Sequence, residues 1–139
     1  MPRVVLDTNV LVSGLINAHG PSARLVDSVR TGVLDLAVCP QLLEELGHTL
    51  AKPRMSRYVT EDDVAEYLAA VSAWSTSYPD PVDVDEAVCR DPDDAYLVAL
   101  YNDAHADLLV SGDKGFSEAA DLAFVLTPRE AVDRLDLHE

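Results

Sequence analysis

Short apolar runs alternate with longer amphipathic stretches along this chain, and the two patterns predict different elements. Runs rich in Val, Leu and Ala are typical of buried strands, whereas apolar residues three or four apart predict helices. The predicted strands cover 3–6, 34–38, 108–111 and 123–126, with at most a short strand within 75–85. The predicted helices cover 9–16, 21–30, 40–52, a stretch after Thr60, 92–104 and a stretch after Thr127.

Several predicted helices carry recognisable start and stop residues. Pro21 lies in the first turn of its helix and Gly32 follows the end, while Pro53 stops the helix before it. The Thr60 hydroxyl is placed to cap the acidic turn that follows, and residues 127–130 (Thr-Pro-Arg-Glu) form a capping box. Alternating strands and helices predict a single α/β domain over residues 1–139, with a mainly parallel sheet and helices on both faces.

Composition limits the class of protein. Of the 139 residues 48% are apolar, enough for a hydrophobic core, but no apolar segment has the length of a membrane span. The apolar run before Asp7 is too short for a secretion signal, so we expect a soluble, cytoplasmic protein without membrane association. Cys39 and Cys89 belong to no C-x-x-C pair, which favours two reduced thiols over a zinc site.

The net charge of the chain argues against nucleic-acid binding. The formal net charge is −15, from 25 acidic and 10 basic residues, whereas proteins that bind nucleic acid through phosphate contacts are normally basic. The bases are unevenly placed, however. Lys52, Arg54 and Arg57 form a candidate phosphate-binding patch, with Arg90 as a candidate addition. A short basic run after a helix is more often solvated, and Lys52 could simply complement the helix dipole.

Acidic and polar residues follow two of the predicted strands. Asp7, Thr8 and Asn9 come directly after the first strand, and Ser111 and Asp113 lie at the end of the 108–111 strand. In parallel α/β sheets, ligands bind beyond the carboxyl ends of the strands. This rule singles out Asp7 and Asp113 as candidate site acids.

A third group of acids lies at the start of the predicted helix 92–104. Asp91 and Pro92 are interpreted as its N-cap and first position, with Asp94 at the inward edge of the helix and Asp93 facing solvent. Two carboxylates about 4 Å apart repel by about 4 kcal/mol at an effective dielectric near 20. Gathering acids therefore calls for protonation or a divalent cation. Oxygen ligands favour magnesium or manganese, which can activate water and stabilise charge on a phosphate.

Each acid also has an ordinary structural explanation. Acids in the first turn of a helix favour its dipole, so Asp91, Asp93 and Asp94 could be capping residues only. Asp7 could likewise cap the helix that follows it, and Glu44 and Glu45 could form a solvated helix face. The spacing of the acids leaves these alternatives open.

Together the motifs resemble those of the PIN-domain nucleases, and among these the short toxin-like branch of bacterial toxin–antitoxin systems. The resemblance covers nearly the whole chain and rests on the order and spacing of the motifs. They are VLDTNVLVS at 5–13, LLEEL at 42–46 with PR at 53–54, RDPDDAYL at 90–97 and LVSGDK at 109–114. The resemblance implies a five-stranded sheet of order 3-2-1-4-5 with acids converging at one end.

Carried onto this sequence, the resemblance also implies a catalytic site and its partners. The implied catalytic acids are Asp7, Glu45, Asp94 and Asp113, of which Asp7, Asp94 and Asp113 would bind Mg²⁺ or Mn²⁺. The implied supporting residues are Thr8, Asn9, Asp91 and Ser111. Glu45 is preferred to Glu44 because it directly precedes Leu46, as in the family motif, and Ser117 stands where some relatives carry a further acid. The implied partners are an RNA substrate, an antitoxin protein and a second copy of the chain.

Two other functions fit parts of the pattern. A phosphatase of the haloacid-dehalogenase type also places an Asp after the first strand, but it needs an acid two residues later, where this chain has Asn9. An amide cannot donate a proton as a carboxylic acid can. A catalytically idle PIN-like binding domain is the non-enzymatic alternative, and the presence of all the expected acids argues against it.

Overall fold

Five short parallel strands form one sheet across residues 1–117 and 122–138, the part of the chain that this computed structural model describes, apart from the Ser117 side chain. The strands are β1 (Arg3–Leu6), β2 (Asp35–Val38), β3 (Thr76–Ser77), β4 (Leu108–Val110) and β5 (Val125–Leu126). Their order is β3-β2-β1-β4-β5, and every pairing is parallel. The predicted fold class and strand order are confirmed.

Helices flank the sheet. They are α1 (Thr8–Ile16), α2 (Pro21–Arg30), α3 (Pro40–Leu50), α4 (Glu61–Trp74), α5 (Ala95–Asp103), α6 (Lys114–Ser117) and α7 (Pro128–Arg134). Helix α5 packs against β1, β2 and β4, whereas α1 packs against α2 and α3. Because both faces of the central strands are covered, β4 and the last three residues of β1 are uniformly apolar rather than alternating. No helix within the described residues is long and apolar enough to cross a membrane.

Two helix starts follow their sequence signals. The Thr60 hydroxyl accepts a hydrogen bond from the Asp63 backbone N–H at 3.1 Å, and the Asp63 carboxylate accepts from the Thr60 N–H at 2.9 Å. Thr127 and Glu130 make the same reciprocal pair at 3.2 and 2.9 Å. Both predicted caps are therefore present at the starts of α4 and α7.

Two predicted helices are shorter than the patterns suggested. Helix α3 ends at Leu50 rather than residue 52, because Lys52 precedes a proline and takes an extended backbone with ψ 142°. The predicted helix 92–104 begins as a 3-10 turn over Pro92–Asp94. The Asp91 carboxylate accepts from the Asp93 N–H at 3.0 Å and stabilises this tight turn. Asp91 thus caps the turn, and Asp94 occupies the N-cap of α5.

The last strand is also shorter than predicted. The Val125 N–H donates to the Leu122 carbonyl at 2.9 Å, which closes a turn over Ala123 and Phe124 and leaves only Val125 and Leu126 in the strand. Helix α6 was not predicted from the sequence. The remaining bounds agree with the predicted ones to within about a residue.

Candidate active site

The carboxyl ends of β1 and β4 bring two predicted site residues into direct contact. Leu6 pairs with Val110, so the residues that follow them lie side by side at one edge of the sheet. The Ser111 hydroxyl donates to Asp7 Oδ2 at 2.8 Å and accepts from the Asp113 backbone N–H at 3.1 Å. A single buried hydroxyl therefore links the acids that follow the two strands.

Asn9 links the same two segments a second time. Its Oδ1 accepts from the Gly112 N–H at 2.9 Å, and its Nδ2 lies 3.4 Å from Asp7 Oδ2. The amide thus joins the start of α1 to the turn between β4 and α6. Because both ends of the amide are engaged, Asn9 acts here as a structural brace for Asp7.

The predicted acids come together around one open cleft of about 390 Å³. Its lining includes Asp7, Thr8, Asn9, Glu45, Lys52, Arg54, Asp91, Asp94 and Asp113. Glu44 and Asp93 are exposed and are not among the residues that line the cleft. The helix faces therefore separate Glu45 from Glu44 and Asp94 from Asp93.

The basic patch is divided by the fold. Lys52 and Arg54 line the acid cleft, whereas the Arg57 guanidinium lies 5.8 Å from the centre of the Tyr58 ring. Arg90 lines a smaller adjoining pocket together with Asp94 and Asp113. The site therefore combines a central group of carboxylates with bases at its margin.

Capping does not explain the positions of Asp7 and Asp94. Asp7 and Asp94 occupy the N-caps of α1 and α5, yet neither side chain makes a capping hydrogen bond. Asp91, by contrast, does cap its turn. The ordinary explanation thus accounts for Asp91 but not for Asp7 or Asp94.

The acids of the cleft repel one another. Within the described residues, none of the five acids that line the cleft forms an ion pair. Asp7 is only 6% exposed, and burial raises its pKa, with repulsion from Glu45 and Asp113 adding to the effect. Burial, followed by repulsion from Asp7 and Asp91, raises the pKa of Asp94 to about 7. The site therefore holds unneutralised negative charge that folding alone does not compensate.

Glu45 reaches the cleft from helix α3, and a tyrosine hydroxyl contacts its carboxylate. The Tyr96 hydroxyl donates a hydrogen bond to Glu45 Oε2. Burial and the neighbouring Glu45 raise the pKa of Tyr96 well above its usual range, so the phenol remains a donor. The sequence analysis did not single out Tyr96, because no motif or spacing rule relates a residue of α5 to a residue of α3.

Thr8 contributes a hydroxyl without a partner. Its side chain is 8% exposed, and its oxygen makes no hydrogen bond within the described residues. A buried polar atom left unpaired costs about 1–3 kcal/mol. Since Thr8 also lines the cleft, its hydroxyl is suited to a polar ligand atom there.

The donor set suits a hard divalent cation, because carboxylates and hydroxyls supply only oxygen. In residues 1–117 and 122–138, no three acid, histidine or cysteine side chains already stand close enough to hold one metal ion. A cation would therefore have to draw the carboxylates together by side-chain rotation. The side chain of Ser117, where some relatives carry a further acid, lies outside the described residues.

Comparisons with known proteins identify the family and the fold. An uncharacterized protein of Methanocaldococcus jannaschii, MJ1680, is 29% identical over 113 residues, which cover 81% of this chain and 71% of that protein. The crystal structure of PAE2754 from Pyrobaculum aerophilum matches with a TM-score of 0.69 at 17% identity, over 99% of this chain and 91% of that one. This second likeness concerns the fold alone. The PIN domain family model matches residues 3–115, a span that contains every acid of the cleft, and the chain belongs to the PIN domain family.

Proposed function

We propose that this protein is a divalent-metal-dependent ribonuclease that hydrolyses RNA phosphodiester bonds. The PIN domain is a nuclease-type fold. One observation carries the proposal furthest: acids from β1, α3, α5 and the β4–α6 turn converge on one cleft without a cation partner among the described residues. Unpaired carboxylates at this density favour a bound cation, whose charge would offset their repulsion.

In this proposal the carboxylates divide into two groups. Asp7, Asp94 and Asp113 are the ligands of Mg²⁺ or Mn²⁺, and Glu45 is the further catalytic acid. When bound, the cation supplies charge stabilisation for a phosphate under attack and activation of water. Ser111 keeps Asp7 and the Asp113 backbone in place.

The supporting residues have distinct tasks. Asn9 braces the turn that precedes Asp113, and Asp91 stabilises the turn that delivers Asp94. The unpaired hydroxyl of Thr8 is the proposed donor to an oxygen atom of a bound ligand. Each task follows from the hydrogen bonds that the side chain makes, or in the case of Thr8 lacks.

The bases at the margin of the cleft reconcile RNA binding with a net charge of −15. Lys52 and Arg54 line the same cleft as the acids and are the proposed contacts for phosphates next to the cleaved bond. Arg57 is the proposed extension of this patch beyond the cleft, and Arg90 lines a second pocket that shares Asp94 and Asp113 with it. Local placement of four bases then matters more than the charge of the whole chain.

The resemblance to the toxin-like branch adds the biological setting. We propose that the chain is the toxin of a toxin–antitoxin pair, binds a protein antitoxin and forms a homodimer. Growth arrest on expression, relieved by a co-expressed partner, is the expected behaviour. Light scattering of the purified chain would give the molar mass of a dimer, whereas a monomer would contradict that part of the proposal.

The experiment that tests the proposal compares two substrates. Purified protein is incubated with RNA or with a small phosphate monoester, in Mg²⁺, in Mn²⁺ and in excess chelator. Cleavage of RNA alone, lost in chelator and restored by the metal, is the expected result. Undiminished RNA cleavage in chelator would refute the mechanism, monoester hydrolysis would point to a phosphatase, and inactivity on both substrates would indicate an idle binding domain.

A further inference from the structure

Glu45 reaches the site differently from the other acids of the cleft. It lies in the middle of helix α3, so the end of a strand or the start of a helix does not orient its side chain. It also lines two concavities, the acid cleft and a neighbouring groove that contains Gln41, Val84 and Glu86. With three rotatable bonds, the carboxylate requires a specific contact to hold it at the cleft.

We propose that Tyr96 is the positioning residue that holds Glu45 at the acid cleft. The inference rests on the proposed function, because it takes Glu45 as a catalytic acid. Tyr96 is 4% exposed and directs its hydroxyl at Glu45 Oε2. Within the described residues, the Glu45 carboxylate makes no other hydrogen bond, so Oε1 remains available to a ligand.

The position of Tyr96 along the chain links two acids. Tyr96 follows the α5 N-cap residue, Asp94, by two positions, and therefore lies in the same turn of backbone. Its hydroxyl bridges from α5 to α3. One short segment thus delivers the Asp94 carboxylate and sets the distance from it to the Glu45 carboxylate.

The chemistry of the bridge suits a site that needs its negative charge. A lysine or arginine in place of Tyr96 would also hold Glu45, but its positive charge would cancel that of the carboxylate. A neutral hydroxyl orients the carboxylate and leaves the charge in place. Ser111 does the same for Asp7 on the other side of the cleft.

The test is a double-mutant cycle between Tyr96→Phe and Glu45→Gln, with Tyr67→Phe as the matched control. Tyr67 is also buried, and its hydroxyl donates at 2.7 Å to the Leu11 carbonyl, not to an acid. We expect Tyr96→Phe to lower kcat for RNA about 10-fold, the effect of one hydrogen bond to a charged group, with little change in KM. Tyr67→Phe should lower the melting temperature and leave kcat unchanged.

The cycle separates positioning from general stabilisation. Tyr96→Phe should have almost no further effect on kcat in the Glu45→Gln background, because the acceptor of its hydrogen bond is already altered. Wild-type kcat in Tyr96→Phe, or an equal loss with and without Glu45→Gln, would overturn the inference. Should Tyr96→Phe fold poorly, Glu45→Asp withdraws the carboxylate from the hydroxyl instead, and wild-type kcat in that variant would also overturn it.

A failure of the proposed function is distinguishable from a failure of this inference. If the wild type does not cleave RNA, crystal structures of the RNA-free proteins decide the question. A Glu45 carboxylate displaced from the cleft in Tyr96→Phe, but in place in the wild type and Tyr67→Phe, would support positioning of Glu45. An unmoved Glu45 carboxylate in Tyr96→Phe would overturn it.

Discussion

The two edges of the sheet hold acidic residues in opposite circumstances. At the amino edge, Asp35 accepts hydrogen bonds at 2.7 Å from the Arg3 guanidinium and at 2.7 Å from the Thr76 hydroxyl. Asp107 there accepts from the Arg3 backbone N–H at 2.8 Å. At the carboxyl edge, Asp7 and its neighbouring acids have no ion-pair partner within the described residues.

The difference appears directly in the pKa values. Burial tends to raise the pKa of Asp35, but hydrogen bonds from Arg3 and Thr76 outweigh burial and lower that pKa. Burial and repulsion raise the pKa of Asp94 to about 7. The chain can therefore neutralise its acids where only stability is at stake, and it does not do so at the cleft. Such local conflict between charge and stability is typical of functional sites.

The largest loss of RNA cleavage should come from removing a carboxylate charge at the carboxyl edge of the sheet. Asp7→Asn and Asp94→Asn should each lower RNA cleavage by about 100-fold or more, since each removes a proposed metal ligand at nearly constant volume. Their melting temperatures without metal should not fall, because repulsion is relieved. Asp93→Asn is the control and should retain activity. An essential Asp93 with a dispensable Asp94 would contradict the assignment of the helix face.

The bases beside these acids offer the next test. Replacing both Lys52 and Arg54 with Ala should weaken RNA binding about 10-fold at low salt and reduce the slope of log affinity against log salt by about 0.7 for each lost phosphate contact. Arg57→Ala, which removes a base outside the cleft, should have a smaller effect. Filter binding or fluorescence anisotropy over a salt series measures both quantities. Identical slopes would mean that RNA is held elsewhere.

Metal should stabilise the protein through one edge only. Mn²⁺ at about 100 times its Kd should raise the melting temperature by about 5–10 °C. The increase should largely disappear in Asp7→Asn and persist in Asp35→Asn. Calorimetry with and without chelator checks this. An equal increase in both variants would place the cation away from the cleft.

The two edges should also respond to pH in opposite directions. Because the folded-state pKa of Asp94 is about 7 against an ordinary 3.8, the folded metal-free protein binds more protons between those values, and its stability falls as the pH rises. The pKa of Asp35 is lowered in the folded protein. The stability that Asp35 contributes is therefore present above the ordinary pKa of an aspartate, and it is lost as the pH falls through the folded-state pKa. Denaturant unfolding at about pH 5 and 7.5 measures the fall in stability with rising pH that is due to Asp94. This fall should be flattened in Asp94→Asn and retained in Asp35→Asn.

The smallest effect on activity should follow removal of the ion pair between Arg3 and Asp35 at the amino edge. Asp35→Asn should lower the melting temperature by a few degrees, because the Arg3 guanidinium loses its charged partner. RNA cleavage should stay at the wild-type level, since the affected bonds lie at the opposite edge of the sheet from the cleft. A large loss of activity without a change in stability would show that the two edges are coupled.

Much of the fold could be predicted because its signals are local. The apolar runs predicted β1 and β4, and hydroxyl caps predicted the starts of α4 and α7, since each depends on neighbouring residues. The predictions were wrong at 51–52, 92–94 and 123–124, where short turns with their own hydrogen bonds replaced the regular element. Asp7 and Asp113 were placed at one edge because the carboxyl ends of parallel strands meet there.

By itself, the sequence determined which residue types follow each strand and where acids cluster along the chain. Only the tertiary structure decided which of these side chains share a space. It placed Glu45 rather than Glu44 at the cleft, and it placed Lys52 and Arg54 there but not Arg57. It also formed the hydrogen bond between Tyr96 and Glu45. The reason is physical: those outcomes depend on which face of a helix packs inward and how far apart two helices lie, and residues distant along the chain determine both.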